Sequence, residues 1–437
     1  MTGNVFGLAR NNVCAAESKQ RVRRFPFCCV LIPIIFMALP AAAPAYSVLT
    51  HEAIIDSNWV QYLRPLLLKR FPNATTDQLR EAHAYAYGGA IIQDMGYYPF
   101  GSKFFSDLVH YTRSGDFVLA LLKDAQESSD LNDYAFALGA LAHYASDNLG
   151  HPVAVNRTVP LVYPKLRARF GPEITYEDNP AAHLKTEFGF DVIEVAHGQY
   201  ANDAYHDFIG FKVAKPLLER AFEQTYCVPL KSLFSSLDLA LGTYRWSVSQ
   251  AIPEMTKAAW AAKRKDIQSL QAGMTRRRYV YHISISAYQK DWDDKYQRPG
   301  PGARFLAFLF RLIPKVGPFK AFAFKVPPAA AEKMFLASLD ETIRRYRELL
   351  MGVSDNRLEL PNENFDTGRP TRLGDYHLAD ETYAKLLERF DGHLNDVSDA
   401  LRGNITMFYG ASGNAGSPKA QSTLAALRSS PSGVPDK

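Results

Sequence analysis

Apolar residues recur at three- and four-residue steps through most of the chain beyond residue 53. Between 54 and 70, Ile54, Ile55, Trp59, Val60, Tyr62, Leu63 and Leu66 to Leu68 follow this step, the signature of an amphipathic helix. The same period runs through 77–92, 104–124, 130–149, 182–200, 210–224, 230–263 and 328–352, the last with Glu341, Arg344, Arg345 and Arg347 on its polar face. Alternation of the strand type is scarce, and 279–285 is its best stretch. The pattern predicts an all-α protein, a multi-helix bundle with a mostly helical C-terminal extension.

Three stretches interrupt the helical period. Residues 289–303 read as a polar loop. Residues 304–325 are apolar and aromatic with five positive charges and no negative one. Large apolar runs are usually core, and buried helix broken at Pro314 and Pro318 is the favoured expectation. Contact with a membrane surface, basic ends on anionic headgroups and Phe side chains in the acyl boundary, is the alternative. From Ala411 onward the chain is rich in Ser, Gly, Ala and Pro, which predicts a disordered tail.

The N-terminus has a different pattern again. Arg21, Arg23 and Arg24 precede an apolar run from Phe25 to Leu39, followed by Ala43-Pro44-Ala45, a small-x-small site. This is the layout of a secretory signal peptide over 1–45, predicting a secreted or periplasmic protein, or a membrane-anchored one if the segment is retained. Cleavage would change the charge balance. It removes five of 50 basic residues and one of 45 acidic ones, leaving 45 against 44. A near-neutral mature chain has no bulk electrostatic reason to bind nucleic acid. Of four cysteines, Cys14, Cys28 and Cys29 leave with the segment, and Cys227 has no internal partner. Stability must then come from the core, for which 47 % hydrophobic content is ordinary, and from metal.

The candidate chemistry lies between 46 and 187. His51, Asp94 and His110 are followed by His143-Tyr-Ala-Ser-Asp147-Asn-Leu-Gly-His151 and by His183-Leu-Lys-Thr-Glu187. Residues four apart share a helix face, so the pairs His143/Asp147 and His183/Glu187 can each approach one ion, and His151 extends the first series by a further step. Gly150 and Pro152 predict that the helix ends beside His151. Eight potential ligands exceed the four that one zinc takes, so two or three ions are expected, with Zn2+ favoured by the imidazole-rich, carboxylate-containing set. Closely spaced metal ions are a recurrent device for phosphoester hydrolysis. His83, His197 and His206 are expected to be structural or exposed, and Tyr97, Tyr98, Phe100 and Phe104 to line either a cleft or the core.

In this order and spacing the ligands resemble the zinc-dependent phospholipase C family, whose fold is shared with fungal single-strand nucleases. The segment Gly88-Gly-Ala-Ile-Ile-Gln-Asp94-Met-Gly-Tyr-Tyr-Pro99 is similar to the family's Asp-bearing loop. The resemblance covers about 46–190 and implies three zinc sites. One would use Asp94, His110, His143 and Asp147, and a second His151, His183 and Glu187. The third would use the α-amine and carbonyl of Tyr46, exposed by cleavage after Ala45, with His51 and a bridging Asp147. Where the family commonly begins with Trp, this chain has Tyr, but the coordinating atoms are backbone atoms. Asp94 is the candidate general base.

The organisation expected is a signal peptide over 1–45, a phospholipase C-like catalytic domain over 46–250, a helical region of unassigned role over 251–410 and a tail over 411–437. The expected function is hydrolysis of phospholipids to diacylglycerol and a phosphorylated head group. Glu187 favours this over a nuclease-like phosphodiesterase, because the nucleases place Asp at that position. A non-catalytic, zinc-stabilised surface-binding protein is the alternative of another class, disfavoured because a structural zinc site is closed by four protein ligands.

Overall fold

Every predicted apolar stripe within the described residues forms helix. The computed structural model describes residues 48–197, 211–248, 268, 325–411 and 413–429. In chain order the helices begin with α1 (Val48–Asn58), a π turn (Trp59–Leu63), α2 (Arg64–Arg70) and α3 (Thr76–Ala90). A 3₁₀ turn (Ile92–Tyr97) leads to α4 (Lys103–Tyr111), α5 (Ser114–Glu127) and α6 (Leu131–Gly150). A second π turn (His151–Val155) continues into α7 (Asn156–Val162), α8 (Pro164–Phe170) and α9 (Pro180–His197). Then come α10 (Lys215–Tyr226), α11 (Leu237–Trp246) and the long α12 (Ala329–Ser354). Two-residue strands, β1 (Glu363–Asn364) and β2 (Arg369–Pro370), pair antiparallel before α13 (His377–Arg389), α14 (Asp399–Tyr409) and α15 (Pro418–Ser429). The all-α expectation holds, since these two are the only strands among the described residues.

The centre of the bundle is α6. Its residues from Tyr134 to Asp147 are buried without interruption, as in a helix apolar on all sides, and α3, α5 and α12 pack against it. Two glycines allow α3 to approach. A Cβ on Gly89 would lie 1.9 Å from the Phe136 carbonyl oxygen, and one on Gly139 would lie 2.1 Å from that of Ala86. The contact is backbone against backbone, so no side chain can yield. Gly139→Ala is therefore expected to destabilise the protein by about 1–3 kcal/mol through overpacking, read as a lower denaturant midpoint. An unchanged midpoint would mean that the helices separate without cost.

Local chemistry ends these helices where a larger period would have continued. The stripe 104–124 is two helices, because Arg113 adopts a left-handed conformation at φ 52° and turns the chain between α4 and α5. The stripe 230–263 is interrupted after a 3₁₀ turn (Leu230–Leu233) by Ser236, whose side chain caps α11 by accepting from Leu239 N–H. The helix end expected beside His151 is instead a change of pitch: α6 passes at Gly150 into the π turn His151–Val155 and on into α7 with the backbone helical throughout.

All the described residues lie within one compact unit, Pro40–Lys437. The C-terminal helices share its core: Tyr346 of α12 donates to the Leu138 carbonyl (2.8 Å), and Tyr144 of α6 donates to that of Pro361 (2.9 Å). Disorder from Ala411 is corrected by α15. Its buried Ala420, Thr423, Leu424 and Leu427 fall at i, i+3, i+4 and i+7, a helical stripe that its Ser- and Ala-rich composition conceals. No helix of the described residues is long and apolar enough to cross a membrane. Residues 1–47, with the expected signal peptide and Tyr46, the 279–285 strand, the 289–303 loop and all of 304–325 except Lys325 lie outside the described residues.

Candidate metal centre

The eight side chains predicted as ligands between His51 and Glu187 come from four helices and two turns, and all are buried. His51 is on α1, Asp94 in the 3₁₀ turn after α3, His110 near the end of α4, and His143 and Asp147 on α6. His151 opens the π turn, and His183 and Glu187 lie on α9. None is more than 5 % exposed, so water contributes little to their solvation.

Asp147 is the hub. Its Oδ2 lies 3.0 Å from His143 Nε2, 3.6 Å from His110 Nε2 and 4.0 Å from His151 Nε2, and its Oδ1 is 3.7 Å from His51 Nε2. Asp94 Oδ1 is 3.4 Å from His110 Nε2. The rings are aimed by their other nitrogens. His110 Nδ1 bonds to the Ser106 carbonyl (2.7 Å), His143 Nδ1 to that of Ala90 (2.9 Å), and His51 Nδ1 meets Ser146 Oγ (3.1 Å). Tethering at Nδ1 turns Nε2 inward, the arrangement by which outer partners fix the tautomer and orientation of a metal-binding imidazole.

Three groups have ligand atoms close enough to share an ion: His51, Asp94 and His143; His110, His143 and Asp147; and His151, His183 and Asp366. The first two overlap through His143 and divide the ligands differently from the expected sites, with His51 beside Asp94. The His51 and His143 rings are stacked at 4.6 Å. The third contains a residue that the sequence reading missed. Asp366 lies in the turn between β1 and β2, 215 residues after His151, and its Oδ1 is 2.5 Å from His151 Nδ1. The run from Asn364 to Gly368 is legible as a turn, because Asn side chains bond nearby backbone and Gly accepts positive φ. Nothing local states where that turn docks. Glu187, expected with His151 and His183, lies with Oε1 2.6 Å from His183 Nδ1.

The donor set fits cations. Both oxygens of Asp94, Glu187 Oε2, Asp147 Oδ2 and His151 Nε2 are buried without a hydrogen bond. Leaving such groups unsatisfied costs about 1–3 kcal/mol each, more when charged, and a bound ion removes that cost. The nitrogen and carboxylate donors, with no thiolate among them, suit Zn2+.

Protonation of the protein groups alone shows the same demand for positive charge. Burial, then the neighbouring His143, lowers His51 to about 3, and burial lowers His183 to about 3 against the attraction of Asp366, so both rings stay in the neutral, ligating form. Burial opposes ionisation of Asp147, yet His143 and His110 hold it well below the usual carboxylate range. Burial likewise opposes charging of His110, but Asp147 and Asp94 lift it to about 10. Burial first, then the nearby carboxylates, pushes Glu187 well above its ordinary range, where a cation is what would keep it ionised.

Comparison with known families agrees with this geometry. The family model described as zinc dependent phospholipase C matches residues 50–236. Residues 50–236 belong to the zinc-dependent phospholipase C family. That family implies zinc dependence and hydrolysis of phosphoester bonds, and the buried His and Asp groups described above, which could hold metal ions, lie largely within the matched residues. No curated protein and no solved structure shows a significant match to the chain. The match ends well before Asp366, which places that residue outside the family-defining segment.

Aromatic rings wall the centre. Tyr97 lies 5.8 Å from the His110 ring and 5.9 Å from Tyr176, which in turn lies 5.9 Å from His183. Phe365, fully buried, meets the His110 ring edge-on at 5.3 Å. Of the aromatic residues following Asp94, Tyr97 therefore faces the site, whereas Tyr98 packs edge-on against Tyr244 (5.1 Å). His83 is structural, as expected. It bonds Asp56 Oδ1 (2.9 Å) and stacks on Trp59 (3.8 Å) away from the ligand groups.

Proposed function

We propose that this phospholipase C-type hydrolase is secreted, holds three zinc ions, and cleaves the glycerol–phosphate ester of phospholipids, releasing diacylglycerol and a phosphorylated head group. The observation that carries the reading is the convergence of four imidazole Nε2 atoms on the buried carboxylate of Asp147, inside the segment that matches the family. Glu187 at the end of the last ligand pair favours lipid over nucleic acid. The third ion would take the Tyr46 amine exposed by signal cleavage, together with His51.

Bound there, zinc supplies Lewis acidity and acidifies water towards neutral pH. The protein's own groups do the rest. Asp94, with two buried oxygens free of hydrogen bonds and a carboxyl that burial raises above its ordinary range, is placed to accept a proton from the attacking water. The tethered imidazoles hold their geometry through the reaction, since each ring is fixed at Nδ1. Tyr97, Tyr176 and Phe365 keep bulk water from the reacting atoms and so strengthen the electrostatics inside.

The test is a side-by-side assay of the mature protein on phosphatidylcholine vesicles and on single-stranded DNA, with N-terminal sequencing of the material used. Diacylglycerol release by a chain beginning at Tyr46 is expected. Rapid nucleotide release without lipid turnover would overturn the substrate assignment.

A further inference from the structure

Asp366 and the turn that carries it reach the metal centre from beyond the family-matched segment, and although Asp366 Oδ1 lies 3.5 Å from His183 Nε2, its contact with His151 is that of a hydrogen-bond partner and not of a co-ligand. Two ligands of a tetrahedral zinc, each about 2.0–2.2 Å from the ion, stand roughly 3.3 Å apart. Asp366 Oδ1 and His151 Nδ1 are 2.5 Å apart, a hydrogen-bond separation. The opposite nitrogen, His151 Nε2, is buried, carries no hydrogen bond and faces Asp147 Oδ2 at 4.0 Å. His151 thus repeats the pattern of His51, His110 and His143, with one difference. Their Nδ1 partners are a hydroxyl and two carbonyls, whereas that of His151 is a carboxylate.

Asp366 is itself held from every side. Its Oδ2 accepts from Tyr376 OH (2.7 Å) and Tyr176 N–H (2.8 Å). Its backbone N–H donates to Asn364 Oδ1 (2.9 Å), and its carbonyl accepts from Asn156 Nδ2 (2.8 Å). Gly368, at φ +62°, closes the turn so tightly against the end of α6 that a Cβ would lie 2.4 Å from the Asn148 carbonyl oxygen. The preceding residue, Phe365, bonds through its N–H to the His110 carbonyl (3.2 Å) and covers the His110 ring. One five-residue turn therefore touches both halves of the ligand set.

We infer that Asp366 is a positioning residue for the zinc centre: it fixes His151 with a proton on Nδ1 and Nε2 presented to the ion, so the C-terminal region is a working part of the metal site. The inference rests on the zinc reading above. It predicts that this region, which the family match leaves unexplained, sets the affinity of one particular ion.

The experiment uses the full mature chain as wild type, Asp366→Asn and Asp366→Ala. Zinc stoichiometry is measured at saturation, affinity by chelator competition, and the His151 tautomer by 15N chemical shifts of the zinc-free protein. Expected is an unchanged zinc count with one ion bound about 10–100-fold more weakly in Asp366→Ala. Asp366→Asn, nearly isosteric and still able to accept from Nδ1, should fall between and also serves if the alanine variant does not fold. His151 should lose its Nδ1–H preference in step with affinity. Loss of one ion at every zinc concentration would overturn the inference by making Asp366 a ligand. Unchanged affinity, or equal weakening of every ion with a lower melting point, would overturn it by making the residue merely structural. Wild-type protein that binds no zinc would instead refute the zinc reading itself.

Discussion

Asp147→Ala is expected to release more than one zinc ion per chain and to lower phosphoester hydrolysis by at least about a hundredfold. Losing only an outer partner of a ligand already costs about 10–100-fold, and this carboxylate stands at the centre. Its two oxygens face the Nε2 atoms of His51, His110, His143 and His151 at 3.0 to 4.0 Å. Four of the predicted ligands thus lie within 4.0 Å of this one carboxylate. Removing it leaves four buried imidazoles without the negative charge that offsets a cluster of cations, so the loss should spread beyond one ion. Metal analysis of the purified variant beside steady-state hydrolysis checks this. An intact zinc count would refute the hub role even if activity fell.

Stripping zinc from the wild-type protein with a chelator is expected to abolish hydrolysis and lower the melting point, with both restored by added zinc. The stability effect follows from linkage. An ion present at a hundredfold excess over its Kd stabilises the fold by about 2.7 kcal/mol, and each further ion adds to this. The structure supplies the reason that the metal-free chain should be strained. Asp94 keeps both carboxylate oxygens, and Glu187 its Oε2, buried without hydrogen bonds, and both groups are pushed away from ionisation, chiefly by burial. Removing the cations leaves that cost unpaid by any protein group. Thermal melts and activity measured through one cycle of chelation and zinc addition test it. A chelated protein that melts unchanged and still turns over substrate would end the zinc reading.

Where a helix supplies neighbouring ligands, the site was legible in the chain. His143 and Asp147 lie four residues apart on α6, His183 and Glu187 four apart on α9, and period and spacing place each pair on one face. The helices themselves were legible for the same reason, because a stripe facing a core repeats every three to four residues. Local exceptions were harder to read. Arg113 in a left-handed conformation splits one stripe into α4 and α5, and arginine carries no signal for that geometry. The stripe of α15 was hidden because its small residues resemble a tail in composition, and only packing reveals that Ala420 and Leu424 are buried.

By itself the sequence determined the helical class, the ligand chemistry and the kinship with zinc-dependent phospholipases, because each depends on residue type and short-range spacing. Tertiary structure alone decided which ligands meet, that Asp147 sits at their centre, and that Asp366 arrives from a turn 215 residues after His151 to hold it. The physical reason is that a hydrogen bond acts over about 3 Å of space and is blind to separation along the chain. A carboxylate in a short hairpin has no periodicity to announce its partner.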